Sequence, residues 1–223
     1  MSPADAQGPR DRSLPVGAPT VTVPDDVLAR ARALAGGPRR LLGVAGPPGA
    51  GKSTFAAALV AALGGRAVTV PMDGFHLPGA ELERCGLADR KGAPETFDAE
   101  GLLALLGRLR EPRGATVRAP AFDREAEEPV PDAVVVEPDV PLVVLEGNYL
   151  LHDDGAWARV RPLLDECWYV AADDDTRVER LVARHVAFGR TPAAARAWVL
   201  RSDEANARLV ARGRARADLV VRA

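Results

Sequence analysis

GPPGAGKS, residues 46–53, sits between the apolar run LLGVA (41–45) and the helical pattern STFAAALVAAL (53–63). It satisfies G-x-x-x-x-G-K-[ST] in the strand-then-helix setting that gives the pattern its meaning. Glycines let successive backbone N–H groups curl round an anion, and the helix N-terminus adds partial positive charge. Gly46, Pro47, Pro48, Gly49, Ala50, Gly51, Lys52, Ser53 and Thr54 are therefore the expected phosphate cradle. Lys52 is placed to reach β- and γ-phosphates, and the Ser53 hydroxyl suits Mg2+. The loop implies ATP or GTP as ligand and leaves the reaction open.

Outward from the loop, apolar runs at 41–45, 66–71, 141–147, 167–172 and 217–223 read as strands. Helical spacing marks 25–35, 53–63, 99–110, 155–164, 174–187 and 192–212, and 115–122 and 133–138 read as strands around a polar loop. Strands alternating with helices predict an α/β fold with a mainly parallel sheet. Residues 1–20 are polar and Pro-rich without periodicity and are expected to be a disordered tail. The remainder, 21–223, is expected to be one domain, with a long irregular loop at about 72–98.

Composition narrows the class. A net charge of −2 and a pI near 6.0 argue against a nucleic-acid binder that relies on broad electrostatics. No apolar run reaches membrane-spanning length, and no apolar signal core opens the chain. Cys85 and Cys167 lie far apart without metal-like spacing, as suits a reducing cytoplasm. The chain holds 27 Arg against 2 Lys and no Ile, the mark of GC-rich coding. Residue types drained by that bias persist at Lys52, Phe55, Met72, Phe75, Lys91, Phe97, Phe122, Asn148, Tyr149, Tyr169, Phe188 and Asn206. Most of them fall where strands run into loops.

Two acids follow predicted strands. VVLEG (143–147) ends in Glu146, where a carboxylate for a magnesium shell belongs, and Asn148 and Tyr149 come next. PMDGFH (71–76) puts Asp73 after the second strand. A carboxylate there can take the proton of an acceptor hydroxyl; Asp-Gly is equally a common turn. In open parallel sheets ligands bind at the carboxyl ends of strands, so Lys52, Asp73 and Glu146 are expected to converge.

With GPPGAGKS, MDGFH and LEGNYLL together, the chain resembles the P-loop kinases of the uridine kinase, pantothenate kinase and phosphoribulokinase family. DGFHLPGAELERCGLADRKGAPETFD (73–98) looks most like type I pantothenate kinase and fructose-transport-associated kinase relatives. The resemblance, over about residues 38–212, implies a P-loop NTPase three-layer sandwich with a helical lid at about 177–192. It implies ATP and Mg2+ as cofactors and a small-molecule substrate, and a homodimer is compatible with it. By resemblance Asp73 is the general base, and Met72, Phe75 and His76 wall the acceptor pocket. Arg90, Lys91 and Phe97 border the acceptor, while Phe122 and Arg124 line its pocket and Asn148 and Tyr149 edge it.

DDDTRVERLVARHVAFGR (173–190) spaces Arg177, Arg180 and Arg184 so that one helical face can present all three. In the family this is the lid, which singles out Arg184 for the transferring phosphoryl group and Arg190 for the nucleotide. Trp157 and Trp198 are read as helix packing. A GTPase switch is disfavoured because no N-K-x-D guanine reader is present. The rival reading is a nucleotide-binding regulatory or accessory protein without acceptor chemistry.

Overall fold

The computed structural model describes residues 22–111 and 114–222. The expected tail, 1–20, lies outside them. Helix α1 (Asp25–Leu34) leads into β1 (Arg40–Ala45), α2 (Lys52–Leu63) and β2 (Ala67–Pro71). Then come α3 (Gly79–Arg84), α4 (Ala99–Arg110), β3 (Val117–Asp123), β4 (Glu128–Val136) and β5 (Leu142–Glu146). The chain closes through β6 (Glu166–Ala171), α5 (Asp174–Ala187), α6 (Pro192–Trp198), α7 (Glu204–Ala211) and β7 (Leu219–Arg222).

Five strands form one parallel sheet in the order β2-β5-β1-β6-β7. Side chains alternate along each strand, so a parallel strand with both faces covered is apolar throughout. On β5, Leu142 and Val144 enter the core under α1 and α2, while Val143 and Leu145 enter the core under α4. On β1, Leu42 and Val44 take the first side and Leu41 and Ala45 the second. This is the three-layer α/β sandwich expected of a P-loop fold. Among the described residues no helix is long and apolar enough to cross a membrane.

β3 and β4 stand apart as an antiparallel hairpin. Their register shifts between Ala119 and Ala121, at Pro120, which has no N–H for the ladder. Two helices differ from their sequence pattern. Residues 155–164 form two short 3-10 pieces, Gly155–Arg159 and Arg161–Leu163. A continuous helix would need an N–H from Pro162, which has none. The helix expected over 192–212 is interrupted by a π-turn at Val199–Asp203, which separates α6 from α7. The long loop is built mainly from short turns: 3-10 pieces at Met72–Phe75, Ala88–Arg90 and Pro94–Thr96, with α3 between.

Candidate active site

Register decides what meets at the sheet's carboxyl edge. Glu146, the last residue of β5, is level with Pro71 of β2 on one side and Val44 of β1 on the other. Asp73 lies two residues beyond Pro71, and the phosphate cradle starts two residues beyond Val44. Three adjacent strands thus deliver Asp73, Glu146 and the loop 46–53 to one place, with Glu146 in the middle.

The loop folds tightly around its glycines. Gly49 has φ +77, in the left-handed region, and a Cβ there would lie 2.7 Å from the Arg177 carbonyl oxygen, so only glycine fits. Gly51, at φ 88, caps α2, and Lys52 begins the helix. Lys52 is 7% exposed, and among the described residues its ammonium donates one hydrogen bond, to the Pro47 carbonyl at 3.1 Å. Burial lowers its pKa from the ordinary lysine value against the opposing pull of Glu146 and Asp73. Glu146 is 8% exposed, and burial raises its pKa despite Lys52 and a hydrogen bond from the Ser53 hydroxyl. Two desolvated, mutually dependent charges suit a ligand that brings both anion and cation. A hydroxyl and one carboxylate are the hard oxygen donors Mg2+ accepts, the rest of its shell coming from phosphates and water. Among the described residues no group of three or more acidic, His or Cys side chains forms a metal cage of its own.

Asp73 sits in the 3-10 turn Met72–Phe75, and its carbonyl accepts from His76 N at 3.1 Å and from His76 Nδ1 at 2.9 Å. That bond requires the proton on Nδ1, which leaves Nε2 as an acceptor. The glycine of Asp73-Gly74 is demanded by closeness, not by a reversed turn: a Cβ on Gly74 would lie 2.4 Å from the Pro120 carbonyl oxygen. The hairpin, bulged at Pro120, is thereby pressed onto the turn that carries Asp73. The His76 ring stacks 3.9 Å from Phe97 and 4.8 Å from Phe122 between centroids.

A cavity of about 500 Å3 joins these parts. Lys52, Ser53, Thr54, Asp73, His76, Lys91, Phe97, Phe122, Arg124, Glu146, Asn148, Arg184 and Arg190 line it. A smaller cleft of about 260 Å3 continues from Ser53, Asp73, Phe122, Arg124 and Glu146 towards Ala57 and Thr69 at the sheet edge. The guanidinium groups of Arg124, Arg180 and Arg184, which line the cavity, have no hydrogen-bond or ion-pair partner among the described residues. Desolvation in the cleft, then repulsion from Arg124, lowers the Arg184 pKa, but a guanidinium stays charged.

Several expected residues lie elsewhere. Met72 (0% exposed) and Phe75 (7%) belong to the core, so only His76 of that trio walls the cavity. Arg90 pairs with Glu95 at 2.5 Å on the surface, 60% exposed. Tyr149 is fully buried behind the wall, its hydroxyl donating to the Gly92 carbonyl, and burial raises its pKa. Arg177 does not share the free face of Arg180 and Arg184. It is 2% exposed and donates to the Pro48 carbonyl at 3.0 Å, to Asp174 at 2.7 Å and to Glu204 at 2.9 Å. It braces the phosphate loop from behind. Trp157 is core, donating to the Pro94 carbonyl. Trp198 instead faces the cavity, with the Arg190 guanidinium 4.3 Å from its ring centroid. Sequence reasoning missed His185 and Asp203, which also line the cavity and pair at 3.0 Å. No motif marks them, because the π-turn that brings Asp203 inward has no sequence signature.

A sequence profile described as the phosphoribulokinase/uridine kinase family matches residues 41–223. An ATP-dependent kinase-like protein of Aspergillus versicolor is 42% identical over 145 residues, spanning 61% of this chain and 84% of its own length. A putative uridine kinase of Schizosaccharomyces pombe is 34% identical over 187 residues, spanning 79% of this chain and 80% of its own. Among solved structures, a putative fructose transport system kinase from Silicibacter sp. TM1040 superposes with a TM-score of 0.78 at 36% identity, covering 87% of this chain and 98% of that one.

Proposed function

The chain belongs to the phosphoribulokinase/uridine kinase family of P-loop kinases, and from that premise we propose that it transfers the γ-phosphoryl group of ATP to a hydroxyl of a small metabolite. The observation that carries the reading is the strand register that seats Glu146 between the phosphate loop and Asp73, all three opening on one cavity. The loop Gly46–Thr54 holds the triphosphate, with Lys52 on its β- and γ-oxygens. Ser53 and Glu146 hold Mg2+, which when bound offsets charge on the phosphates.

Asp73 accepts the proton of the acceptor hydroxyl as its oxygen bonds to the γ-phosphorus, and ADP leaves with the bridging oxygen. Arg184, with Arg180 beside it, faces the charge spread over the transferring group. Arg190 lies on the nucleotide side, and the segment 177–192 acts as the lid. His76, Lys91, Phe97, Phe122, Arg124 and Asn148 frame the acceptor. A nucleoside, pantothenate or a sugar fits that description, and each presents a hydroxyl to Asp73. Two unpaired cysteines, Cys85 and Cys167, fit a cytoplasmic setting.

The test is transfer of labelled γ-phosphate from ATP, with Mg2+, to a panel of nucleosides, pantothenate and free or phosphorylated sugars. A labelled acceptor from one chemical class is the expected product. ATP binding with no labelled acceptor across the panel would favour the accessory-protein reading instead.

A further inference from the structure

Helix α7 touches none of the proposed reacting groups, yet two of its first three residues grip opposite ends of the site. Glu204 accepts from Arg177 at 2.9 Å, and Arg177, 2% exposed, donates to the Pro48 carbonyl of the phosphate loop at 3.0 Å. Asn206, 8% exposed, donates through Nδ2 to the Gly92 carbonyl at 3.2 Å. Gly92 and Lys91 line the same cavity as Asp73.

The loop around Gly92 is closed upon itself. Gly92 N donates to Thr96 Oγ1 at 3.0 Å, and Thr96 Oγ1 donates to the Ala93 carbonyl at 2.7 Å. Thr96 is fully buried. A loop stitched this way shifts as a unit when its anchor shifts. One of its anchors, beside Trp157 on the Pro94 carbonyl and Leu77 N on the Thr96 carbonyl, is the Gly92 carbonyl, whose two lone pairs are taken by Asn206 and by the Tyr149 hydroxyl. Tyr149 comes from the β5 end, whereas Asn206 comes from the helix that Arg177 fastens to the phosphate loop.

We infer that α7 couples the two substrate sites, with Asn206 as a positioning residue that sets loop 90–97 according to whether the phosphate loop is filled. The route is Pro48, Arg177, Glu204, about half a turn of α7, Asn206 and Gly92. The inference rests on reading 46–54 as the nucleotide site and 90–97 as an acceptor wall. Coupling of this kind is read directly from the response of each segment to nucleotide.

Hydrogen exchange of the full-length protein, with and without a non-hydrolysable ATP analogue and Mg2+, does so without knowledge of the acceptor. In the wild type the analogue should slow exchange in 46–54 and also in 90–97. Asn206→Leu, with the same side-chain branching but without the donor, should keep the first response and lose at least half of the second. Tyr149→Phe should loosen 90–97 in both states yet keep its response to nucleotide, which separates coupling from mere tethering. If Asn206→Leu fails to fold, Glu204→Ala cuts the same route at its other end and should give the same loss. A response at 46–54 with none at 90–97 in the wild type, or a full response at 90–97 in Asn206→Leu, overturns the inference. No response at either segment would overturn the nucleotide-site reading as well.

Discussion

Replacing Gly74 by alanine tests the geometry that aims Asp73. The new Cβ would lie 2.4 Å from the Pro120 carbonyl oxygen, 2.6 Å from its carbon and 2.9 Å from Ala121 N. Carbon–oxygen contacts ordinarily begin at roughly 3.3 Å, so about 0.9 Å of separation must be found. Every atom it meets is backbone, so no side chain can swing away. Either the Met72–Phe75 turn or the hairpin has to move, and Asp73 separates from Phe122 and Arg124. Overpacking of this kind costs about 1–3 kcal/mol. At about 2–4 °C per kcal/mol for a chain of this size, the melting temperature should fall by roughly 2–12 °C. A displacement near 1 Å at a reacting group costs on the order of 100-fold in turnover.

Gly107 is the control. It lies inside α4 with nothing within 4 Å of a Cβ. Alanine there should stabilise by about 0.5–1 kcal/mol and leave turnover unchanged. Calorimetry and acceptor-dependent ADP release measure both variants. A Gly74→Ala protein with wild-type melting and turnover, or two variants shifted in the same direction, would refute the reasoning.

Arg177→Met removes a buried guanidinium whose pair with Asp174 contributes little because that acid is 84% exposed. The weight falls on Glu204 and the Pro48 carbonyl, and stranding that acid should cost about 3–5 kcal/mol by thermal denaturation. Adding Glu204→Leu should recover part of the loss, whereas a single-variant loss below about 1 kcal/mol would count against the brace. Burial lowers the His76 pKa despite Asp73, so the folded protein resists a proton that the unfolded chain takes up at about pH 6.5. His76 therefore contributes nothing above that pH and a growing penalty below it, so stability rises with pH through this window. His76→Gln should flatten the melting-temperature slope between about pH 5 and 6.5; a slope equal to that of the wild type would contradict the half-buried, neutral ring.

Much of the frame was legible in the sequence because periodicity and the phosphate loop are local signals. The five parallel strands and α2 follow from their apolar runs, three of the strands lying next to glycines. Asp73 and Glu146 could be singled out because strand ends in parallel sheets face ligands. What could not be read was long-range. Arg177, Arg180 and Arg184 share a spacing, but only the tertiary fit of Arg177 to Pro48 and Glu204 tells a brace from a free cation. Met72 looked like pocket wall because it adjoins Asp73, yet the 3-10 turn rotates it into the core under Gly147.

Pro162 was present to warn against one helix over 155–164, whereas the π-turn at 199–203 left no trace. The compositional bias proved a useful pointer. Lys52, Lys91, Phe97, Phe122, Asn148 and Phe188 line the cavity, and Tyr149 and Asn206 share the Gly92 carbonyl. Phe55, Met72, Phe75 and Tyr169 are core.

The most direct test of the kinase reading is acceptor turnover by Asp73→Asn, measured with the acceptor class found in the panel and with nucleotide affinity measured alongside. Asparagine keeps the shape and loses the base. Turnover should drop by about 100- to 10,000-fold, with nucleotide affinity within a few-fold of wild type. Wild-type turnover in Asp73→Asn would contradict that reading.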